Sequence, residues 1–135
     1  MHKTIIVETP KGDSLTDITA RVREAIGESG VTSGVCVVIV PHTTAGITLN
    51  SYLDPNTAHD IVQDVRRLVP TRTDFKHIFD TPADAAGHIK ATLVGHSEIL
   101  FVEDGALLLG DSQGLFFYDF DGPRRRRVLV KVLEG

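Results

Sequence analysis

The chain has 135 residues, of which 41% are hydrophobic and 24% charged, proportions that fit one soluble globular domain with a single core. Its net charge of −4 argues against general nucleic-acid binding, and no apolar run approaches the roughly 18 residues of a membrane span. A single cysteine excludes an internal disulfide framework, and the first residues carry no signal-peptide pattern, so the sequence predicts a cytoplasmic protein.

The first half of the chain alternates between strand and helix signals. Residues 3–9 read as a strand, and apolar residues at helical spacing predict an amphipathic helix over 16–28. The unbroken apolar run from Val35 to Val40 predicts a strand covered on both faces, which makes Cys36 an inert core thiol. After Pro41 ends that run, the alternation in 47–50 predicts a second strand.

The second half begins with helices and ends with strands. Asp54-Pro55 is a helix-start signal, and the apolar periodicity that follows predicts a helix reaching Pro70. Residues 70–82 predict a functional loop, and residues 83–94 predict a helix of small residues. The strands SEILFVE, ALLLG, LFFYDF and RRVLVKVL follow, separated by turn signals that include Asp-Gly pairs. We therefore expect an α+β protein, one domain over 1–135, with a mostly antiparallel, strand-rich sheet and flanking helices.

Three of the six histidines lie at positions that suit a metal-binding or catalytic site. His42 ends the apolar strand, His77 lies in the loop with aromatic residues, and His88 lies on the small-residue helix. Separated histidines can converge on zinc, but no HExxH or CxxC motif brackets these, so loop and cap histidines are the alternative. Asp84 precedes His88 by four residues on one helical face. It could orient that imidazole or form a surface ion pair.

The run Arg124 to Arg127 is the most basic segment of the chain. Guanidinium groups bind phosphates bidentately, whereas a row of exposed charges at a strand edge also blocks unwanted strand pairing. Both interpretations stay open. Alternation on a strand sends Arg124 and Arg126 to one face and Arg125 and Arg127 to the other.

An ordered set of motifs points to a family. PHTTAGITLN, DPNTAHDI, His77, GHIKATLVG, LLLGDSQG and DFDGPRRRRVLVKV occur in one unbroken order. In these motifs the chain resembles the YjbQ-like family, also called secondary thiamine-phosphate synthase. The resemblance implies a small α+β homotrimer with a thiamine-phosphate-synthase-like activity and a metal or anion in a histidine-lined pocket.

The resemblance also implies site residues. By position it assigns catalytic roles to His42, Asn50 and Gln113, substrate binding to Thr43, Asp54, His59 and Arg124, and a divalent metal, zinc or magnesium, to His42, His77 and His88. Two positions depart from the family pattern. Ser51 replaces a glutamate that could serve as acid, base or ligand, and Ser112 replaces a tryptophan that could stack on a substrate.

The leading functional hypothesis is a transferase that joins a pyrimidine pyrophosphate to a thiazole phosphate. A metal ion and arginines would neutralise the phosphate charge as pyrophosphate leaves. The alternatives are a metal- or small-anion-binding trimer without catalysis and a metal-assisted hydrolase of a small phosphate ester. We expect a small phosphorylated ligand, no nucleic-acid or membrane partner, and a homotrimer whose exposed ILFV and LFFY strands supply apolar surface. The imidazoles of His42, His77 and His88 are expected to converge within one subunit or across an interface.

Overall fold

The computed structural model describes residues 1–135 and contains eight strands and three helices. The strands are β1 (Lys3–Glu8), β2 (Gly12–Asp17), β3 (Gly34–Ile39), β4 (Ala45–Ser51), β5 (Ser97–Glu103), β6 (Ala106–Leu107), β7 (Gln113–Gly122) and β8 (Arg125–Glu134). The helices are α1 (Thr19–Ser29), α2 (Pro55–Leu68) and α3 (Pro82–Val94). Every strand pair is antiparallel, and the predicted α+β class is confirmed. None of the helices has both the length and the hydrophobicity needed to cross a membrane.

The strands form two sheets that enclose the core. The first sheet has the order β1-β8-β3-β5-β6, and the second has the order β2-β7-β4. Buried side chains from both sheets and from α1 form one cluster, which includes Val7, Val22, Cys36, Ile47 and Phe117. Burial raises the pKa of the Cys36 thiol to about 11, as expected of an inert core cysteine.

The prediction that β3 is covered on both faces is wrong for this chain. Cys36 and Val38 point into the core and are fully buried, whereas Val35 and Val37 alternate with them and are only partly covered. Their side of the first sheet, here called the outer face, continues onto β5, where Ile99 and Phe101 are 69% and 63% exposed. The apolar run from Val35 to Val40 therefore predicted the strand correctly, but it did not show that only one face of the strand packs against the core.

The LFFY segment lies in the interior, contrary to the prediction that it is exposed. Phe117 and Tyr118 are buried on opposite faces of β7, the middle strand of the second sheet. One face meets the core between the sheets, and the other is covered by α3. Gly87 allows that close approach, since a Cβ there would lie only 3.2 Å from Cβ of Thr44.

The strand β2 was not predicted, and α1 begins three residues later than expected. Gly12 has a φ of +87°, and the pairing register with β7 shifts between Gly12 and Ser14. The sequence instead predicted that the helix begins at residue 16, so its first three residues overlap the observed end of β2 and the residue after it. Asp17 ends the strand, because its Oδ1 accepts hydrogen bonds from the backbone N–H and the hydroxyl of Thr19, where α1 begins.

Candidate metal centre

The start of α3 fixes the position of a buried carboxylate. The Thr81 hydroxyl accepts the backbone N–H of Asp84 at 3.1 Å, and Pro82 occupies the first helical turn. This N-cap holds Asp84 in the first turn, where only 7% of the residue is exposed. His88 lies one turn further along the same helical face.

His77 comes from the loop before α3 and completes a three-residue cluster with Asp84 and His88. The Nε2 atoms of His77 and His88 lie 3.1 and 3.2 Å from the same Asp84 Oδ2. The two rings meet edge-on, with centroids 5.1 Å apart. Four ligands arranged tetrahedrally at about 2.0–2.1 Å from zinc lie about 3.3–3.4 Å from one another, and the two distances from Asp84 Oδ2 are close to this spacing. The alternative is a carboxylate that accepts one N–H from each imidazole.

The cluster is anchored in the protein on one side and open on the other. The Asp84 side chain is 10% exposed, whereas those of His77 and His88 are 45% and 39% exposed. The two histidines border a cleft of about 480 Å³ that is also lined by Phe75 and Ile89. A metal ion held here would keep coordination positions for ligands that enter from the cleft.

Arg124 is a cation in the neighbourhood of this cluster. Its Nη2 lies 2.9 Å from Oδ2 of Asp121, and its Nε donates to the Asp121 carbonyl at 3.2 Å. The hydrogen bond and the charge of Asp121 raise the pKa of Arg124, and the charge of Asp84 adds to the effect. The guanidinium group is therefore held in place, and about half of its side chain stays exposed.

His42 does not belong to the cluster within this chain. Its Nε2 accepts the backbone N–H of Arg127 at 2.9 Å, which places the proton of the neutral ring on Nδ1. Burial, followed by the charge of Arg126, lowers the pKa of His42. Of the three imidazoles expected to converge, two do so, and Asp84 takes the third position. The carboxylate predicted to orient His88 faces both histidines.

The other residues implied by the resemblance lie apart from one another. Asn50 Oδ1 accepts the N–H of Ser51, and Asp54 accepts the N–H of Asn56 and caps α2. Thr43 is exposed, His59 borders a cleft between α2 and β2, and Gln113 lines a third and larger cleft. One chain therefore does not assemble these residues into a single centre. Their assigned catalytic and binding roles remain predictions.

Arg126 has a role that neither interpretation of the arginine run includes. It is buried, and it donates to Asp119 from Nη2 at 2.9 Å and from Nε at 3.2 Å, and to the Thr44 hydroxyl at 2.8 Å. Burial alone would raise the pKa of Asp119, but hydrogen bonds from Arg126 and Thr9 outweigh it and lower that pKa. The alternation along β8, which turns Arg125 and Arg127 outward, is as predicted.

Comparison with known proteins identifies relatives over the whole chain. The model of the family described as UPF0047 protein YjbQ-like matches residues 3–135. A UPF0047 protein of Methanocaldococcus jannaschii is 45% identical over 127 residues, which cover 94% of this chain and 90% of the relative. The UPF0047 protein YugU of Bacillus subtilis is 38% identical over 133 residues, 98% of this chain and 99% of the relative.

Solved structures share the fold. A protein of the YjbQ/UPF0047 family from Clostridium acetobutylicum, an orthologue of YugU, superposes with a TM-score of 0.91 at 42% identity, covering 97% of this chain and 99% of that one. A protein from Sulfolobus solfataricus, described as YbjQ-like and of unknown function, superposes with a TM-score of 0.93 at 29% identity. That superposition covers 100% of this chain and 97% of the Sulfolobus chain.

These comparisons correct the functional hypothesis. The family description and the names of these relatives specify no thiamine chemistry, and the Sulfolobus protein is described as having no known function. The predicted thiamine-phosphate-synthase-like transferase is therefore contradicted, and its two alternatives find no support there either. The family resemblance itself is confirmed: the chain belongs to the YjbQ-like UPF0047 family.

Proposed function

We propose that this protein holds a divalent transition-metal ion between His77, Asp84 and His88, and that this ion is the centre of its function. The observation that carries the proposal is the approach of two imidazole Nε2 atoms to one carboxylate oxygen, at 3.1 and 3.2 Å. All three ligand atoms lie within 4.8 Å of one another. The ion would sit at the edge of the cleft, where it can bind an outside ligand.

The donor set favours zinc over magnesium, the two metals that the sequence left open. Two neutral imidazoles and one carboxylate are ordinary ligands for zinc in sites that keep a position open. Magnesium prefers an octahedral shell of oxygen atoms and retains several waters. His77 and His88 would each have to replace an oxygen ligand of magnesium.

The outside ligand that we propose is a small phosphorylated molecule. Arg124 supports this choice, because Asp121 fixes its guanidinium group near Asp84. A phosphate oxygen on the metal and a second oxygen on the guanidinium group would share the negative charge between two cations. Lys76, which also lines the cleft, would add a third positive charge.

We further propose that the chain works as a homotrimer, assembled through the outer face of the first sheet. The support is the exposure of Ile99 and Phe101 on β5 and of Leu133 on β8, which are 69%, 63% and 45% exposed; these two strands flank β3, where Val35 pairs with both Phe101 and Leu133. A continuous apolar surface of this kind is uncommon on monomers.

Metal analysis of the purified protein tests the proposed metal centre. Protein dialysed against zinc and then against metal-free buffer should retain one zinc per chain, and cobalt in its place should give the visible spectrum of a tetrahedral ion. The His88→Gln variant should lose the metal, because a neutral nitrogen ligand is removed. The matched control is His96→Gln, which replaces an exposed histidine just beyond α3 and should retain it. Equal zinc content in both variants, or none in the unaltered protein, would overturn the proposal.

A further inference from the structure

A second cleft of the protein lies away from the metal cluster. Its volume is about 570 Å³, within the range of small-molecule sites. It is bordered by the first turns of α1, by the end of β4 and by the loop before β7, with Arg23, Tyr52 and Gln113 among its lining residues. None of the three residues of the metal cluster lines it.

The cleft contains charges of both signs that do not pair with each other. Arg23 has no carboxylate within salt-bridge distance, and it donates only to the carbonyl of Leu107, at 3.3 Å. Asp17 is held by Thr19 through Oδ1, which leaves Oδ2 free. Asp111 lines the same cleft, and its carboxylate has no partner. The positive charge of Arg23 and the negative charges of Asp17 and Asp111 are therefore not neutralised by one another.

The cleft is also lined by an oriented hydrogen-bond donor and by apolar side chains. Oε1 of Gln113 accepts the N–H of Gly110 at 2.8 Å, and this bond fixes the amide and leaves its NH₂ group free to donate. The side chains of Tyr52 and Leu109 offer apolar surface between the charged groups. The cleft therefore presents a cation, two anions, a free donor and an apolar wall.

We propose that this cleft binds a small zwitterion of the α-amino-acid class. The carboxylate of the ligand would pair with Arg23 and with the Gln113 amide, and its ammonium group would pair with Asp17 and Asp111. A ligand that carries both charges meets both sets of groups at once, whereas a phosphate dianion would meet repulsion from two carboxylates. The apolar side chain of the ligand would lie against Tyr52 and Leu109.

Three matched probes test the need for both charges. L-Leucine carries both, 4-methylpentanoate carries only the carboxylate, and 3-methylbutylamine carries only the ammonium group. Titrations followed by ¹⁵N–¹H NMR should show leucine shifting the signals of Ala20, Arg23, Gly110 and Gln113. Each single-charge probe should bind about tenfold more weakly or worse, because one charge-assisted set of contacts is lost.

Two variants separate the two ends of the ligand. Arg23→Gln should weaken leucine and 4-methylpentanoate about tenfold and leave 3-methylbutylamine unchanged. Asp111→Asn should weaken leucine and the amine and leave the carboxylate probe unchanged. Asp111 is a better choice than Asp17, because the Asp17 carboxylate also accepts hydrogen bonds from the backbone N–H and the hydroxyl of Thr19. The control is Arg67→Gln, which removes an arginine paired with Asp64 on α2 and should change nothing.

Three results would overturn the proposal. The first is the absence of any leucine-dependent shift at about 20 mM, a concentration at which even a weak millimolar complex is populated. The second is an affinity for 4-methylpentanoate equal to that for leucine, which would indicate a simple anion site. The third is equal weakening of leucine by Arg23→Gln and by Arg67→Gln, which would indicate only a general effect of positive charge.

Discussion

Arg126 binds Asp119 through two nitrogen atoms in the interior of the protein, with Nη2 2.9 Å from Oδ1 and Nε 3.2 Å from Oδ2. The side chains are 9% and 0% exposed. Arg126 belongs to β8 in the first sheet, and Asp119 belongs to β7 in the second. The ion pair therefore joins the two sheets beside the corner at which the chain passes from one to the other.

Replacing Arg126 with methionine should destabilise the protein by about 3–5 kcal/mol, because the Asp119 carboxylate would remain buried without its partner. Urea denaturation measures the loss. The control is Arg125→Met, which breaks an exposed pair with Glu8 and should cost less than about 1 kcal/mol. Equal losses of unfolding free energy in the two variants would show that the buried ion pair contributes no more to stability than the exposed one.

The stability of the protein should depend on pH through His42. Burial and the charge of Arg126 lower the pKa of His42 below its ordinary value of 6.5, so the unfolded chain takes up this proton first. The contribution of His42 is complete above pH 6.5 and is lost as the pH falls toward the lowered pKa. His42→Gln should remove this part of the slope in denaturation between pH 7 and pH 5. An NMR titration of His42 with a midpoint at or above 6.5 would contradict the prediction.

Zinc should raise the thermal midpoint of the unaltered protein, since a ligand that binds only the folded state stabilises it by mass action. Asp84→Asn should lose this response, whereas Asp80→Asn, at an exposed position in the preceding loop, should keep it. Zinc uptake should weaken on acidification, because a protonated imidazole cannot bind a metal ion. Scanning calorimetry with and without zinc measures the response, and an unchanged shift in Asp84→Asn would exclude this carboxylate as a ligand.

Asp54, assigned to substrate binding by the family resemblance, should affect stability. Its carboxylate accepts the N–H of Asn56 at 2.9 Å and caps α2. Asp54→Ala should cost about 1 kcal/mol in urea denaturation, and Asp54→Ser should restore most of the loss because a hydroxyl also caps. Equal losses from alanine and serine would contradict the capping role.

The proposed homotrimer should depend on the outer face of the first sheet. We expect the unaltered protein to sediment as a trimer at micromolar concentration, and Phe101→Glu, which places a charge on that face, to sediment as a monomer. The matched control is Phe79→Glu, at a loop residue that is 89% exposed and lies off the sheet. A monomer before any substitution would refute the trimer.

Local signals in the sequence predicted the elements that depend on neighbouring residues. The cap at Asp54 and the proline after it gave the start of α2. The same pair of signals, Thr81 and Pro82, begins α3 one residue before the predicted position 83. The Asp104-Gly105 turn also has its expected geometry, with both residues at positive φ. Such features can be read because the interacting groups lie within four residues of each other.

Features that depend on distant segments could not be predicted in this way. The sequence shows that β7 and β8 are consecutive apolar strands, but not that they enter different sheets. Nor does it show that α3 covers the side of β7 that carries Tyr118, whereas Phe101 on β5 is 63% exposed. The same distinction holds for the candidate site. The contact between Asp84 and His88 could be predicted because the two residues are one helical turn apart. The hydrogen bond between His42 and Arg127 could not, because it depends on how the strands of the first sheet pair.

The position of β8 between β1 and β3 has a consequence for how the chain folds. Val130 pairs with Lys3 on one side and with Val38 on the other, so the first sheet joins segments from opposite ends of the sequence. Sheets built from such distant pairings have high contact order and form slowly, typically in milliseconds to seconds. During synthesis, β1 and β3 must wait for β8 with an edge unpaired. The nascent chain is then open to aggregation through the strand edges that later pair with β8.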